Sequence, residues 1–125
     1  MDDLIIESTN ETPEINFSAT SGVLKISGRA YSNDISSFYK NLSNWLEGYL
    51  MDPQKTTTIE LQLDYYNSIF IKLLFYFFEK SKTVFQKDKK LIIKWYYQKG
   101  DEESIDDAIR ISKIINLPIE KVEFI

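Results

Sequence analysis

Two hydrophobic rhythms run along the chain, one with a period of two residues and one with a period of three to four. The first marks strands and the second amphipathic helices. Leu4 to Ser8 is a short apolar strand, punctuated by Thr12-Pro13. Glu14 to Ala19 alternates around Ile15 and Phe17, and Val23 to Arg29 alternates again after Ser21-Gly22. This predicts an antiparallel hairpin with a turn at the glycine. Ser32-Asn33-Asp34 offers helix caps. Beyond it Ile35, Phe38, Tyr39, Leu42, Trp45, Leu46, Tyr49 and Leu50 recur at helical spacing until Asp52-Pro53.

The pattern then switches twice more. Thr56 to Tyr66 is a β-branched strand with Ile59, Leu61 and Leu63 on one face, and Asn67-Ser68 caps a second helix reaching about Gln86. The charged run Lys87-Asp88-Lys89-Lys90 precedes Leu91 to Tyr97, a nearly continuous apolar strand of the kind found inside a sheet. Gly100-Asp101 leads into a third helix, Glu102 to Asn116, expected to turn Ile105, Ala108, Ile109, Ser112 and Ile115 inward. Leu117-Pro118 stops it, and Glu120 to Phe124 is a last strand. The order β-β-β-α-β-α-β-α-β predicts an α/β fold in the mixed α+β sense. It has a single mixed sheet with a leading antiparallel hairpin, flanked by three helices.

With 125 residues the chain is expected to form one domain, residues 1–125. Hydrophobic residues at 43% and charged residues at 27% fit a globular chain and argue against disorder. Composition narrows function mainly by exclusion. The net charge is −4 and the basic residues are scattered, so no electrostatic footprint for nucleic acid is present. Without Cys there is no thiolate nucleophile or zinc–sulfur site, and without His the commonest metal ligand and near-neutral general base are missing. No cofactor is implied. Met1-Asp2-Asp3 is acidic where a signal peptide would be basic, and the longest apolar run, Ile69 to Phe78, is broken by Lys72 and too short to insert in a bilayer. The expected location is cytoplasmic.

Four segments could carry chemistry. At Asp64-Tyr65-Tyr66-Asn67-Ser68 a strand gives way to a helix with a hydroxyl beside the cap. Asn67 or Ser68 can simply satisfy the orphan amides of the first turn. Alternatively Ser68 is a phosphoacceptor, whose phosphate gains from those amides and the helix dipole. The following helix is apolar all round, through Ile69, Phe70 and their neighbours, which fits a central core position or a homodimer or partner surface. The acidic start Asp101, Glu102, Glu103, Asp106 and Asp107 reads as a solvated, dipole-complementing face, with a divalent-ion enzyme as the weaker alternative. Arg29, after Gly28, could hold a carboxylate or phosphate, or form a surface salt bridge.

Taken together, four stretches carry a family resemblance. They are Thr12-Pro13-Glu14-Ile15-Asn16-Phe17; Gly28-Arg29-Ala30-Tyr31 with Phe38-Tyr39 and Trp45-Leu46; Leu63-Asp64-Tyr65-Tyr66-Asn67-Ser68; and Trp95-Tyr96-Tyr97 with Asp101-Glu102-Glu103. In this order they resemble the SiaC-like family of bacterial biofilm-regulation phosphoproteins, which is similar in fold and logic to the anti-sigma-factor antagonists. The resemblance implies a non-enzymatic partner switch. A cognate kinase phosphorylates the protein, a phosphatase reverses the modification, and the unphosphorylated form binds a partner such as a diguanylate cyclase. The family's phosphoacceptor is a Thr after an Asn and before two Ser. The matching position is Ser68 after Asn67, with Ile69 and Phe70 where the two Ser stand. Asn67, Ile69, Phe70, Tyr65, Tyr66, Arg29 and Tyr31 are then the expected partner-binding surface. The competing expectation is a constitutive scaffold or homodimeric interaction module.

Overall fold

A computed structural model of the chain describes residues 1–124. The strands are β1 (Leu4–Ile6), β2 (Glu14–Phe17), β3 (Val23–Ala30), β4 (Thr56–Tyr66), β5 (Lys90–Gln98) and β6 (Glu120–Phe124). The helices are α1 (Ser36–Leu50), α2 (Ser68–Ser81) and α3 (Glu102–Ile115), and a 3₁₀ stretch, Lys82–Lys87, carries α2 towards β5. The six strands lie in sequence order in one sheet. β1, β2 and β3 pair antiparallel, whereas β3–β4, β4–β5 and β5–β6 pair parallel.

That topology fixes where the helices go. Each parallel step needs a crossover helix, and right-handed crossovers that always advance in the same direction put their helices on one face. The pleat agrees. Phe17, Leu24, Ile59 and Ile93 lie side by side in register and are buried, as are Ile15, Ile26, Leu61 and Trp95 in the next row. Between these rows runs a polar one on the other face, Asn16–Lys25–Glu60–Lys94–Glu120, in which the charges alternate in sign from strand to strand. Opposite charges in directly paired positions favour this register, since a slip of one residue would send the lysines and glutamates into the core.

The core between sheet and helices is aromatic. Phe77 of α2 meets Phe17 of β2 at 5.6 Å between ring centroids, and Phe17 in turn meets Trp45 of α1 at 5.3 Å. The buried Tyr49 hydroxyl shares a hydrogen bond with Thr57 Oγ1 at 2.8 Å. The turn between β2 and β3 requires its glycine: Gly22 has φ +74°, and a Cβ there would lie 2.7 Å from the Thr56 carbonyl oxygen.

Three expectations need correction. Ser32-Asn33-Asp34 does not cap α1. Ser32 Oγ is engaged within its own turn, accepting from the Asp34 amide, and Ile35 stands at the N-cap without a side-chain bond. The second helix is α-helical only to Ser81 and continues to Lys87 as a 3₁₀ stretch. The inward face of α3 is Ser104, Ala108, Ile111 and Ile115, and Ile109 is exposed. The buried Trp95 indole N–H needs an acceptor and donates to Ser104 Oγ at 2.8 Å, which holds Ser104 inward and rotates Ile109 to solvent.

Replacing the buried Phe77 by Ala removes the ring that joins α2 to the hairpin. It is expected to cost about 3–5 kcal/mol, seen as a lower urea midpoint with an unchanged slope.

Candidate functional site

The ends of β3, β4 and β5 lie at one edge of the sheet, where the strands hand over to helices. Strand β4 reaches this edge through a bulge. Gly28 pairs with Leu63 and Arg29 with Tyr65, so Asp64 is an extra residue on β4. Gly28 opposite it has φ +110°, a conformation that favours glycine. Beyond the bulge Tyr65 is 57% exposed and meets the edge of the Tyr31 ring at 5.6 Å. The Arg29 guanidinium lies 5.3 Å from the centre of that same ring. Arg29 therefore contributes a cation–π contact, and among the described residues it forms no salt bridge.

The strand ends at Tyr66, and the next two residues begin α2. The Asn67 amide donates to the Ala30 carbonyl at 3.0 Å, which ties the junction to the end of β3. The Asn67 side chain accepts from the Phe70 amide at 2.9 Å, as an N-cap should. With the Phe70 amide satisfied, those of Ser68 and Ile69 still lack an intrahelical acceptor. Ser68 occupies the first helical position and is exposed. The cap and the hydroxyl are thus separate residues, Asn67 holding the turn and Ser68 exposed without a capping role.

Helix α3 supplies the other wall. Asp101 caps it, accepting from the Ser104 amide at 3.1 Å. Glu102, Glu103 and Asp106 are exposed, as a solvated helix start requires. Asp107 is not solvated: it is 9% exposed and receives two hydrogen bonds. Tyr66 Oη donates to its Oδ2 at 2.6 Å, and Arg110 Nη2 donates to its Oδ1 at 2.7 Å. Burial, and then the Asp107 hydrogen bond, push the Tyr66 phenol well above its ordinary range. Tyr66 therefore remains a neutral donor, and Asp107 is the acceptor shared by β4 and α3. Ser68, Glu103, Asp107 and Arg110 line an open crevice of about 190 Å³ at this edge. A second crevice of about 240 Å³, between Asp64, Tyr65, Asp101 and Glu103, adjoins it. Among the described residues no three carboxylates gather in a way that could hold a metal ion.

Most of the residues expected at a partner surface do meet here. Tyr65, Tyr31 and Arg29 form an exposed aromatic–cationic patch, and Asn67, Ser68 and the half-buried Ile69 continue it onto α2. Phe70 does not belong to it. It is 1% exposed and packs against Phe38 at 6.5 Å, because the third helical position points back onto the core. Tyr66 is half-buried and turned towards Asp107. The sequence reading places Asp107 only within a solvated acidic helix start and does not single out Arg110. The signal for them is their three-residue spacing, which places an acid and a base side by side on one helix.

Comparison with known proteins agrees with this architecture. The family model for "SiaC family regulatory phosphoprotein" matches residues 6–124. An uncharacterized protein of Pseudomonas aeruginosa (strain UCBPP-PA14) is 26% identical over 118 residues, 94% of each chain. The fold is that of a chain in the crystal structure of diguanylate cyclase SiaD with its activator SiaC from Pseudomonas aeruginosa. The TM-score is 0.88 at 23% identity, covering 98% of this chain and 100% of that one. The structure of SiaC of Pseudomonas aeruginosa matches with a TM-score of 0.84 at 22% identity, covering 99% and 100%. Apo-SiaC matches with 0.77 at 22%, covering both chains fully.

Two outcomes follow for the junction. Asn67→Ala is expected to lower stability by about 1 kcal/mol, and Asn67→Ser to restore most of it, as measured by thermal denaturation. The raised Tyr66 pKa means that the folded chain holds this proton more tightly than the unfolded one. Its contribution is therefore complete below the ordinary phenol value of about 10 and is lost as pH rises from there through the folded pKa. Tyr66→Phe should flatten the alkaline decline in stability while lowering stability at neutral pH.

Proposed function

Because the chain belongs to the SiaC family of regulatory phosphoproteins, we propose that it is a phosphorylation-controlled binding protein whose switch is Ser68 and whose partner in its bacterial host is a diguanylate cyclase. It performs no catalysis itself. The unphosphorylated form binds the cyclase and controls it, and so acts on cyclic-di-GMP signalling and biofilm formation. A kinase transfers the γ-phosphoryl group of a nucleoside triphosphate to Ser68. The Oγ–P bond forms, the bond from the γ-phosphorus to its bridging oxygen breaks, and the hydroxyl proton is given up. A phosphatase restores the hydroxyl with water and releases inorganic phosphate.

One observation carries this reading: an exposed Ser68 at the first position of α2, with the capping role filled by Asn67. A hydroxyl that caps its own helix would have to give up a hydrogen bond to be modified, whereas Ser68 need not. A phosphate there accepts from the free amides of the first turn and gains from the helix dipole, each worth up to about 1–2 kcal/mol at such a site. It also adds about −1.5 to −2 charge at neutral pH, beside the patch of Arg29, Tyr31 and Tyr65 and in continuity with Ile69. A partner face that matches the uncharged surface then meets a desolvated charge and is expelled. The structure of a SiaD–SiaC complex from Pseudomonas aeruginosa supports a cyclase as the partner class.

The test is a binding titration against the diguanylate cyclase of the same bacterium. The Ser68→Asp protein is expected to bind at least tenfold more weakly than the unmodified one, about 1.4 kcal/mol. Ser68→Ala should bind like the parent. Equal binding by all three, and by protein carrying true phosphoserine, would identify a constitutive module instead.

A further inference from the structure

The crevice beside Ser68 contains a cation that the switch itself does not require. Among its described lining residues Arg110 alone is positive. An exposed arginine in an i,i+3 pair would ordinarily be a surface ion pair of little consequence. Here the partner is different, because Asp107 is buried and is itself held by the Tyr66 hydroxyl. Asp107 thereby grips one terminal nitrogen of the guanidinium, Nη2, at 2.7 Å. The rest of the group makes no hydrogen bond to any described residue, and its side chain remains 59% exposed at the mouth of the crevice. A planar guanidinium anchored on one side and free on the other can receive a phosphate without releasing its carboxylate.

We propose that Arg110 is the receptor, within the same chain, for a phosphate on Ser68. Tyr66 and Asp107 act as the positioning residues that aim it. The inference rests on Ser68 as the phosphoacceptor and adds where the phosphate goes. The modified side chain bridges the start of α2 to the middle of α3, so that phosphorylation ties two helices together as well as changing the charge of one surface. The opposing group in the crevice is Glu103, which disfavours a second negative charge. The clamp is therefore the element that lets the dianion settle in an acidic setting. It also makes Ser68→Asp an incomplete mimic, since a carboxylate on the short aspartate side chain reaches less far than a phosphate on Oγ.

The test installs phosphoserine at position 68 during translation, so that no kinase is needed. The second ionisation of the phosphate is then followed by ³¹P NMR in the parent, Arg110→Lys and Arg110→Gln chains. A cation within reach favours the dianion, so the parent midpoint should lie below that of Arg110→Gln by roughly half a unit to one unit, with Arg110→Lys in between. Because Arg110 is exposed, both variants are expected to fold, and the thermal transition of the unmodified proteins checks this. Identical midpoints in the three folded chains would overturn the clamp while leaving Ser68 as a switch. A Ser68 found never to be modified in the native protein would overturn the switch, but not the measured affinity of Arg110 for a phosphate placed there.

Discussion

A parallel strand pair cannot be closed by a tight turn, and this constraint organises the molecule. Three successive parallel pairings, β3–β4, β4–β5 and β5–β6, each demand a crossover helix. With all crossovers advancing the same way, the helices share one face and every strand-to-helix passage lies at the same edge. Tyr31 after β3, Asn67 and Ser68 after β4, and Asp101 after β5 are therefore neighbours in space, although up to 70 residues separate them in the chain. The opposite face of the sheet carries the charged row through Lys25, Glu60 and Lys94, and the edge becomes the place where the chain can present exposed side chains on a rigid support.

The edge is held by polar bonds whose charged members do not compete with the modification. Asn67 performs the capping and Asp107 accepts from both Tyr66 and Arg110, while among the described residues every buried side-chain N or O atom has a partner. In the proposed switch a phosphate on Ser68 would enter a framework that is already satisfied. It would change the surface charge and engage amides and guanidinium donors that are open, without breaking the bonds that keep β4, α2 and α3 together.

Much of this was legible in the sequence. The alternation of Ile59, Leu61 and Leu63 defined β4 to the residue, and Asn67-Ser68 before an apolar run marked the start of α2, although only the structure chooses Asn67 over Ser68 as the cap. The element order, with its leading hairpin, followed from periodicity alone. What periodicity could not supply was the phase of α3. Ile105 and Ile109 look as buried as Ala108 and Ile111 on a helical wheel, and only the demand of the Trp95 indole for an acceptor brings Ser104 inward. The same limit hid Asp107, which reads as one more solvated acid until Tyr66 is placed across from it. Phe70 failed in the opposite direction, because an aromatic residue next to the cap looks like a contact surface until the helix is seated on the core.

The most direct measurement is phosphopeptide mass spectrometry on the protein isolated from its own cells, separated into the pool bound to the cyclase and the free pool. A switch at Ser68 requires the modification on Ser68 in the free pool and its absence from the bound one. Equal occupancy of Ser68 in both pools, or none in either, would contradict control by phosphorylation at this helix start.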